Sequence, residues 1–389
     1  MIDPLYLQSA RSSIRHMLKL PDDEIVDLVF LAAALANFDP ERQIPVWLVI
    51  VGSPSSGKTE LTSLIRTWKH TWALPARVSA GYFFAARTGR FSTLHEIDTS
   101  GARLLYVDDL AGVVSMDIRD AGPLYSYLIA IHDGHLVHRT GFAAEQLVYG
   151  PKPAAERLGF IGSATERFYQ FQERWFQFGS RFMCYYLPDA KREWDDYGHL
   201  TSINDMSDQS HHRAHAQATV HALLDHVLEH IAEFPQVTIA RADVDRITAA
   251  ITLVQRVLGA GRSNDPGVRL MRRVVQIVRM MAFMQGRQSC NSIDVAHGIR
   301  LVLSQLPLQE HKILRYALDN LAQPWRFGDL LEAVGSTRKI YSGPLEGLAD
   351  VRVLRRAGEA GRKGYNFELH PKARALVDVF DPERRIFPR

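Results

Sequence analysis

The sequence predicts an α/β fold, a parallel sheet with helices on both faces, followed by a helical segment and a small unit of short helices and a hairpin. Three observations predict it. The apolar run Val46-Trp47-Leu48-Val49-Ile50-Val51 ends in a glycine-bounded loop and passes into helical spacing from Glu60, as a strand buried on both faces does when it turns into a helix. Comparable runs return at residues 102–110, 158–165 and 178–188, far enough apart for helical crossovers between parallel strands. From residue 240 the spacing turns helical, and short strand signals come back only near the end of the chain.

Composition bounds the reading. At 389 residues and 46% hydrophobic content, the chain can bury the cores of about two or three domains. A formal net charge of +3 is mild and by itself names no nucleic-acid partner. No apolar run approaches the ~20 residues that span a bilayer. Asp3, Arg11, Arg15 and Lys19 interrupt the first stretch, so the expectation is a cytoplasmic protein without membrane contact. The two cysteines, Cys184 and Cys290, are too few for a disulfide framework or a structural zinc site.

In chain order, residues 5–20 and 22–37 read as helices closed by Pro40 and Pro45, a lead that could cover one edge of the following pocket. After the first strand stands Gly52-Ser53-Pro54-Ser55-Ser56-Gly57-Lys58-Thr59: glycine, four spacers, then Gly-Lys-Thr opening a helix over residues 60–72. That is a phosphate-binding loop. Gly52 and Gly57 let backbone N–H groups approach phosphates, Lys58 neutralises their charge, and Thr59 offers its hydroxyl to Mg²⁺. ATP and Mg²⁺ are the expected ligands. Residues 78–100 read as insertion or loop, and the run at 102–110 ends in Asp108-Asp109. Asp108 is expected beside Thr59 in the magnesium shell, and Asp109 where a carboxylate orients the attacking water.

A helix over 122–131 leads to a short strand bracketed by Gly134 and Gly141, to which residues 146–149 can return as a β-hairpin; it either offers His138 and Arg139 as candidate DNA contacts or is an ordinary buried or surface hairpin. The strand at 158–165 carries Ser163 and Thr165 at its polar end, either one a sensor of the γ-phosphate or a plain strand cap. Arg181 starts the next strand, as an arginine finger toward a neighbouring subunit or as a salt-bridge partner. Residues 189–210 read as a linker. His211/His215 and His226/His230 have i, i+4 spacing, which reads as a polar helix face because the carboxylate and third ligand of a known metal motif are not in place, so no metal site beyond Mg²⁺ is expected. Helices follow over 244–258, 266–285 and 292–306, and Arg269 and Arg273 share a face that either touches the γ-phosphate or is a solvated basic surface. Residues 309–380 give three short helices and two strands around a tip of glycine and charge, a winged-helix pattern. Arg338 and Lys339 start its candidate recognition helix and Arg362 and Lys363 sit on the wing, suited to DNA phosphates or to a protein partner.

Together, the loop from Gly52 to Thr59, Asp108-Asp109, the hairpin, Thr165, Gly179-Ser180-Arg181-Phe182 and the segment with Arg269 resemble an AAA+ ATPase, more narrowly the minichromosome maintenance (MCM) helicases. The resemblance implies an N-terminal helical segment (1–40), an AAA+ P-loop ATPase core (41–190), a linker and helical lid (191–306) and a winged-helix domain (307–389). It also implies a homo-oligomer, a hexameric ring with Lys58, Thr59, Asp108, Asp109 and Thr165 from one subunit and Arg181, with Arg269, from the next. Three features depart from the family: its long N-terminal DNA-binding region has no counterpart in this sequence, Asp109 replaces Glu, and Thr165 replaces Asn. Compact relatives of this type look like those of phages and mobile elements. The resulting expectation is an ATP-hydrolysing motor on DNA, a helicase or translocase. The alternatives are a slowly hydrolysing AAA+ switch, such as a loader, transposition regulator or protein remodeller, and an ATP-responsive DNA-binding regulator.

Overall fold

The computed structural model describes the chain outside residues 1, 19–25, 55, 76–77, 84–91, 115, 117, 140–145, 167, 169–180, 188–202, 259–266, 362–363 and 382–389. It forms two compact units, one of Met1–Thr238 with Gln276–Cys290, the other of Ile239–Val275 with Asn291–Arg389.

The first unit is built on a five-stranded sheet flanked by helices. Its strands are β1 (Trp47–Gly52), β2 (Thr71–Ala73), β3 (Leu104–Val107), β6 (Gly159–Thr165) and β7 (Met183–Tyr186), with β4 (Leu136–Arg139) and β5 (Gln146–Tyr149) forming a separate antiparallel hairpin. The sheet order is β2-β3-β6-β1-β7 and every pairing in it is parallel. Each residue of β1 is buried, as its unbroken apolar run requires of a strand covered on both faces. Trp47, Phe160 and Phe182 pack together with centroids 4.9 to 5.3 Å apart, and the Trp47 indole donates to the Leu158 carbonyl.

Helices α1 (Pro4–Met17) and α2 (Val26–Leu35) open the chain. Asn37 bonds both the amide and the carbonyl of Val46, and Arg42 donates to the Ala154 and Ala155 carbonyls, so these contacts gather where β1 and β6 begin. Gly159 is glycine for the same reason, since a Cβ there would stand 2.2 Å from Asn37. Helix α3 (Lys58–Ser63) is far shorter than the expected 60–72, and Trp72 lies in β2, paired with Leu105. The stretch read as loop holds α4 (Thr93–Thr99), capped by Ser92. Beyond β3 come α5 (Ala111–Val114) and α6 (Ile118–Asp133), and after β7 the long α7 (Ile203–Glu229), which begins inside the expected linker.

The second unit holds α8 (Arg241–Leu258), residues 268–275 of α9 (Val268–Met284), α10 (Ser292–Leu303) and α11 (Leu308–Asp319). Asn291 and Asp294 cap α10 reciprocally. A compact run follows: β8 (Trp325–Arg326), α12 (Phe327–Ala333), α13 (Arg338–Asp350), the antiparallel pair β9 (Leu354–Gly361) and β10 (Gly364–Leu369), and α14 (Pro371–Phe380). β8 joins β10, making a three-stranded sheet in the order β8-β10-β9. Gly335, at φ +60°, turns the chain between α12 and α13. Among the described residues no helix is long and apolar enough to cross a membrane.

Candidate functional site

The loop between β1 and α3 is shaped by its two glycines. Gly57 adopts φ +82°, a left-handed conformation that lets α3 start at Lys58. A Cβ on Gly52 would stand 3.0 Å from Ser56 Oγ and 3.2 Å from Leu187 Cβ, so the loop closes on a bare backbone. Lys58 is 6% exposed and its Nζ donates to the Ser53 carbonyl at 2.9 Å. Burial lowers its pKa, while the nearby Asp109 and Glu166 carboxylates favour its charged form. Ser56 Oγ is buried without a hydrogen-bond partner among the described residues. A curled-back ammonium, an orphaned hydroxyl and a helix N-terminus converge here, and phosphate oxygens would satisfy all three.

Because β6 lies between β1 and β3, its carboxyl end joins the two predicted motifs. Fully buried Ser163 stands 3.2 Å from Thr59 Oγ1 and donates to the Asp108 carbonyl, so it ties the two expected magnesium-shell residues together. Thr165 pairs in register with Gly52. The Asp108 carboxylate accepts from Tyr106 at 2.6 Å and pairs with Arg66 at 3.3 Å. Burial, then the bond to Asp108, pushes the Tyr106 phenol up, so it stays a donor. Thr59 and Asp108 offer the oxygen donors that Mg²⁺ prefers, and the competing Arg66 pair is half-exposed and weak, so the residues fit the ion.

Two residues of this end carry no sequence motif. Glu166 directly follows the Thr165–Gly52 pair, and Tyr186, the last residue of β7, donates to its Oε1 at 2.9 Å. The signal for Glu166 was an acid placed immediately after a polar strand end.

Other predicted residues lie elsewhere. Arg181 precedes β7 at the far end of the sheet and donates to Asp133 Oδ2 at 2.7 Å. Arg269 and Arg272 are exposed on α9 whereas Arg273 is fully buried, which corrects their reading as one solvated face. His138 and Arg139 are on β4, opposite Leu147 and Gln146, with their side chains outside the described residues. Arg338 and Lys339 are exposed in the first turn of α13. Ser55, Gly179, Ser180, Arg362 and Lys363 lie outside the described residues.

The histidine reading also needs correcting, because Glu229 supplies the carboxylate held to be missing: ligand atoms of His226, Glu229 and His230 lie within 4.8 Å of one another. The group is nevertheless bonded as packing. His226 Nε2 accepts the Asp3 amide at 3.1 Å, which puts the neutral ring's proton on Nδ1, while His230 Nδ1 faces the His226 carbonyl at 3.0 Å. Tyr6 stacks on His226 at 4.2 Å.

No protein-family model and no curated protein matches the chain. Among solved structures, the chain is similar to a full-length MCM homolog from Methanopyrus kandleri, at 16% identity and a TM-score of 0.44. The likeness covers 78% of this chain and 62% of that one, so the chain spans less than two thirds of its length.

Proposed function

We propose that the chain binds ATP with Mg²⁺ at the β1–α3 loop, hydrolyses it, and works as a homo-oligomeric AAA+ motor on DNA, a cytoplasmic helicase or translocase of a phage or mobile element. The observation that carries nucleotide binding is the loop itself, where buried Lys58 curls onto the Ser53 carbonyl at 2.9 Å beside a Ser56 hydroxyl that has no hydrogen-bond partner among the described residues. With phosphate in the loop, Lys58 turns its donors outward, and the backbone between Gly52 and Gly57 wraps the anion. Thr59 and Asp108 would hold Mg²⁺, which neutralises phosphate charge when bound. Asp109 stays close enough to influence Lys58 and belongs to the water's surroundings.

The register supports a shared site. Met183 pairs with Leu48, so Arg181 sits level with about residue 46, six residues or about 20 Å from Gly52 along the strand. It is therefore out of reach of its own chain's nucleotide. As an arginine finger it serves a second copy, six such copies closing the hexameric ring, with Arg269 contributing from the lid formed by the helices of 191–306. The run α12, α13, β9 and β10 reads as a winged helix, with Arg338, Lys339, Arg362 and Lys363 toward DNA phosphates and His138 and Arg139 on the hairpin. Asp109, one methylene shorter than Glu, favours a second reading, a slow AAA+ switch such as a loader or remodeller.

The deciding experiment is steady-state ATP turnover with and without single-stranded DNA, for the wild type, K58A, R181A and an equimolar mixture of the two variants. The motor reading expects DNA stimulation, loss in each variant and partial recovery in the mixture. ATP binding with negligible, DNA-indifferent turnover would establish the switch instead.

A further inference from the structure

We propose that Ser163 is a positioning residue for Mg²⁺: it accepts the hydroxyl proton of Thr59 and so leaves that oxygen's lone pairs for the ion. The inference rests on the reading of the β1–α3 loop as a site for ATP with Mg²⁺. It gives Ser163 a task other than the γ-phosphate sensing expected of it or of Thr165.

One proton per hydroxyl fixes the direction of each bond. Ser163 is fully buried in β6, and its hydroxyl reaches two oxygens, Thr59 Oγ1 at 3.2 Å and the Asp108 carbonyl. A carbonyl oxygen only accepts, so the single proton of Ser163 goes to Asp108. Between the two hydroxyls Thr59 is therefore the donor. Its proton points back toward β6, and its lone pairs are turned away from Ser163. A hydroxyl that is to coordinate a hard cation has to be in this state, because the ion is bound through oxygen lone pairs.

The sheet holds Ser163 in this polarity. It pairs in register with Ile50 of β1, and its carbonyl accepts the Leu110 amide at 2.9 Å. The turn that carries Asp108 is thus fastened to Ser163 twice, through backbone and through side chain. The Asp108 carboxylate is left out of this exchange, its oxygens meeting Tyr106 at 2.6 Å and the half-exposed Arg66 at 3.3 Å. Thr59 therefore finds its acceptor without drawing on the acid expected beside it in the magnesium shell. Ser163 has no second proton to offer a phosphate oxygen, which leaves sensing to Thr165, two residues on and on the same face of β6. Ser163 acts only through Thr59.

The test compares the full chain as wild type, S163A, S163C, T59V and T59V/S163A in two titrations. The first measures the affinity of a non-hydrolysable fluorescent ATP analogue with all metal chelated. The second adds Mn²⁺, which favours the same oxygen donors as Mg²⁺, to the analogue held by excess protein, and reads the Mn²⁺ affinity from the EPR signal of the free ion. S163A is expected to keep the metal-free analogue affinity within about twofold and to lose about tenfold in Mn²⁺ affinity, as residues that orient a metal ligand do. S163C, close in volume but a weak donor and acceptor, loses less. T59V loses at least as much as S163A, and adding S163A to it changes Mn²⁺ affinity by less than about twofold, because Ser163 acts through Thr59. Wild-type Mn²⁺ affinity in S163A, or additive losses in the double variant, overturns the proposal. So does a loss of metal-free affinity as large as the loss for Mn²⁺, which marks a structural role. If S163A does not fold, S163C decides by the same measures. A wild type that binds the analogue but holds Mn²⁺ no better than the free analogue does defeats the Mg²⁺ reading of Thr59 and this inference with it, and one that binds no analogue defeats the nucleotide reading. Both differ from a wild type that binds both ligands beside an unchanged S163A, which defeats this inference alone.

Discussion

The Arg181 guanidinium donates to both oxygens of Asp133, at 2.7 and 3.3 Å, and His132 bonds the same carboxylate at 2.7 Å. His132 is itself buried and lies edge-on to Trp47, so the start of β1 fixes a chain of three polar side chains ending at the arginine. Burial pushes the Asp133 carboxyl up, but the bonds from His132 and Arg181 outweigh it and hold the carboxyl below the usual range. A depressed folded-state value means that the stabilisation is present above the unfolded value and is lost as pH falls through the folded one, so the pair stays charged at any pH suited to assay. If Asp133 presents Arg181 to a second copy, D133N should lower turnover by about tenfold with KM for ATP unchanged. Acting through one group, D133N and R181A should be non-additive, the double variant being no slower than R181A alone. Additive losses, or a fall in thermal stability with turnover intact, would leave Arg181 and Asp133 as a plain structural ion pair.

Among the elements, the knot of Asn37 and Arg42 shows what holds the sheet in place. Arg42 is 3% exposed, and burial, followed by the neighbouring Arg103 charge, lowers its pKa to about 9. Its donors satisfy the Ala154 and Ala155 carbonyls and Asn37 Oδ1. R42A strands those acceptors and should cost about 2–4 kcal/mol, seen as a clear drop in Tm. ATP affinity should hold, because the knot lies at the start of β1 and the phosphate loop at its end; a parallel loss of affinity would contradict this separation. The strands β1, β3, β6 and β7 were legible in the sequence because each is an apolar run buried on both faces. The turn from β1 into α3 was legible because the glycine and lysine spacing of residues 52–59 leaves few alternatives to a strand–loop–helix. Helix α3 was overextended because Thr71-Trp72-Ala73 continues the apolar spacing, yet pairing with β3 decides its conformation. Helix α7 was partly hidden because its histidines and charges look solvated. In fact Arg213, His221 and Asp225 fall on one stripe that bonds Ser63, the Leu64 carbonyl and Trp68, bracing the end of α3 and the turns that follow it. Glu166 drew no expectation, although an acid follows the polar strand end, because its nearness to Gly52 depends on which strand neighbours β1, and spacing along the chain does not encode that order.

For the whole molecule, the question is whether its two compact units carry one function or two. The Gly52–Thr59 loop, Asp108 and Asp109 belong to the first unit, and the exposed Arg338 and Lys339 to the second. Residues that neutralise DNA phosphates leave a measurable trace, because each contact releases condensed counterions and steepens the salt dependence of binding by about one unit. A double variant R338A/K339A should therefore bind single- or double-stranded DNA more weakly and reduce the salt slope by about two, uniformly across sequences. In a motor, the DNA-stimulated part of ATP turnover should fall with it, since the stimulus enters through one unit and the chemistry runs in the other. Weaker binding with undiminished stimulation would assign the coupling contact to the β4–β5 hairpin, where His138 and Arg139 lie. Unchanged binding and slope would take the face opened by α13 off the DNA, because exposed basic residues that leave no trace in the salt slope are not on phosphates.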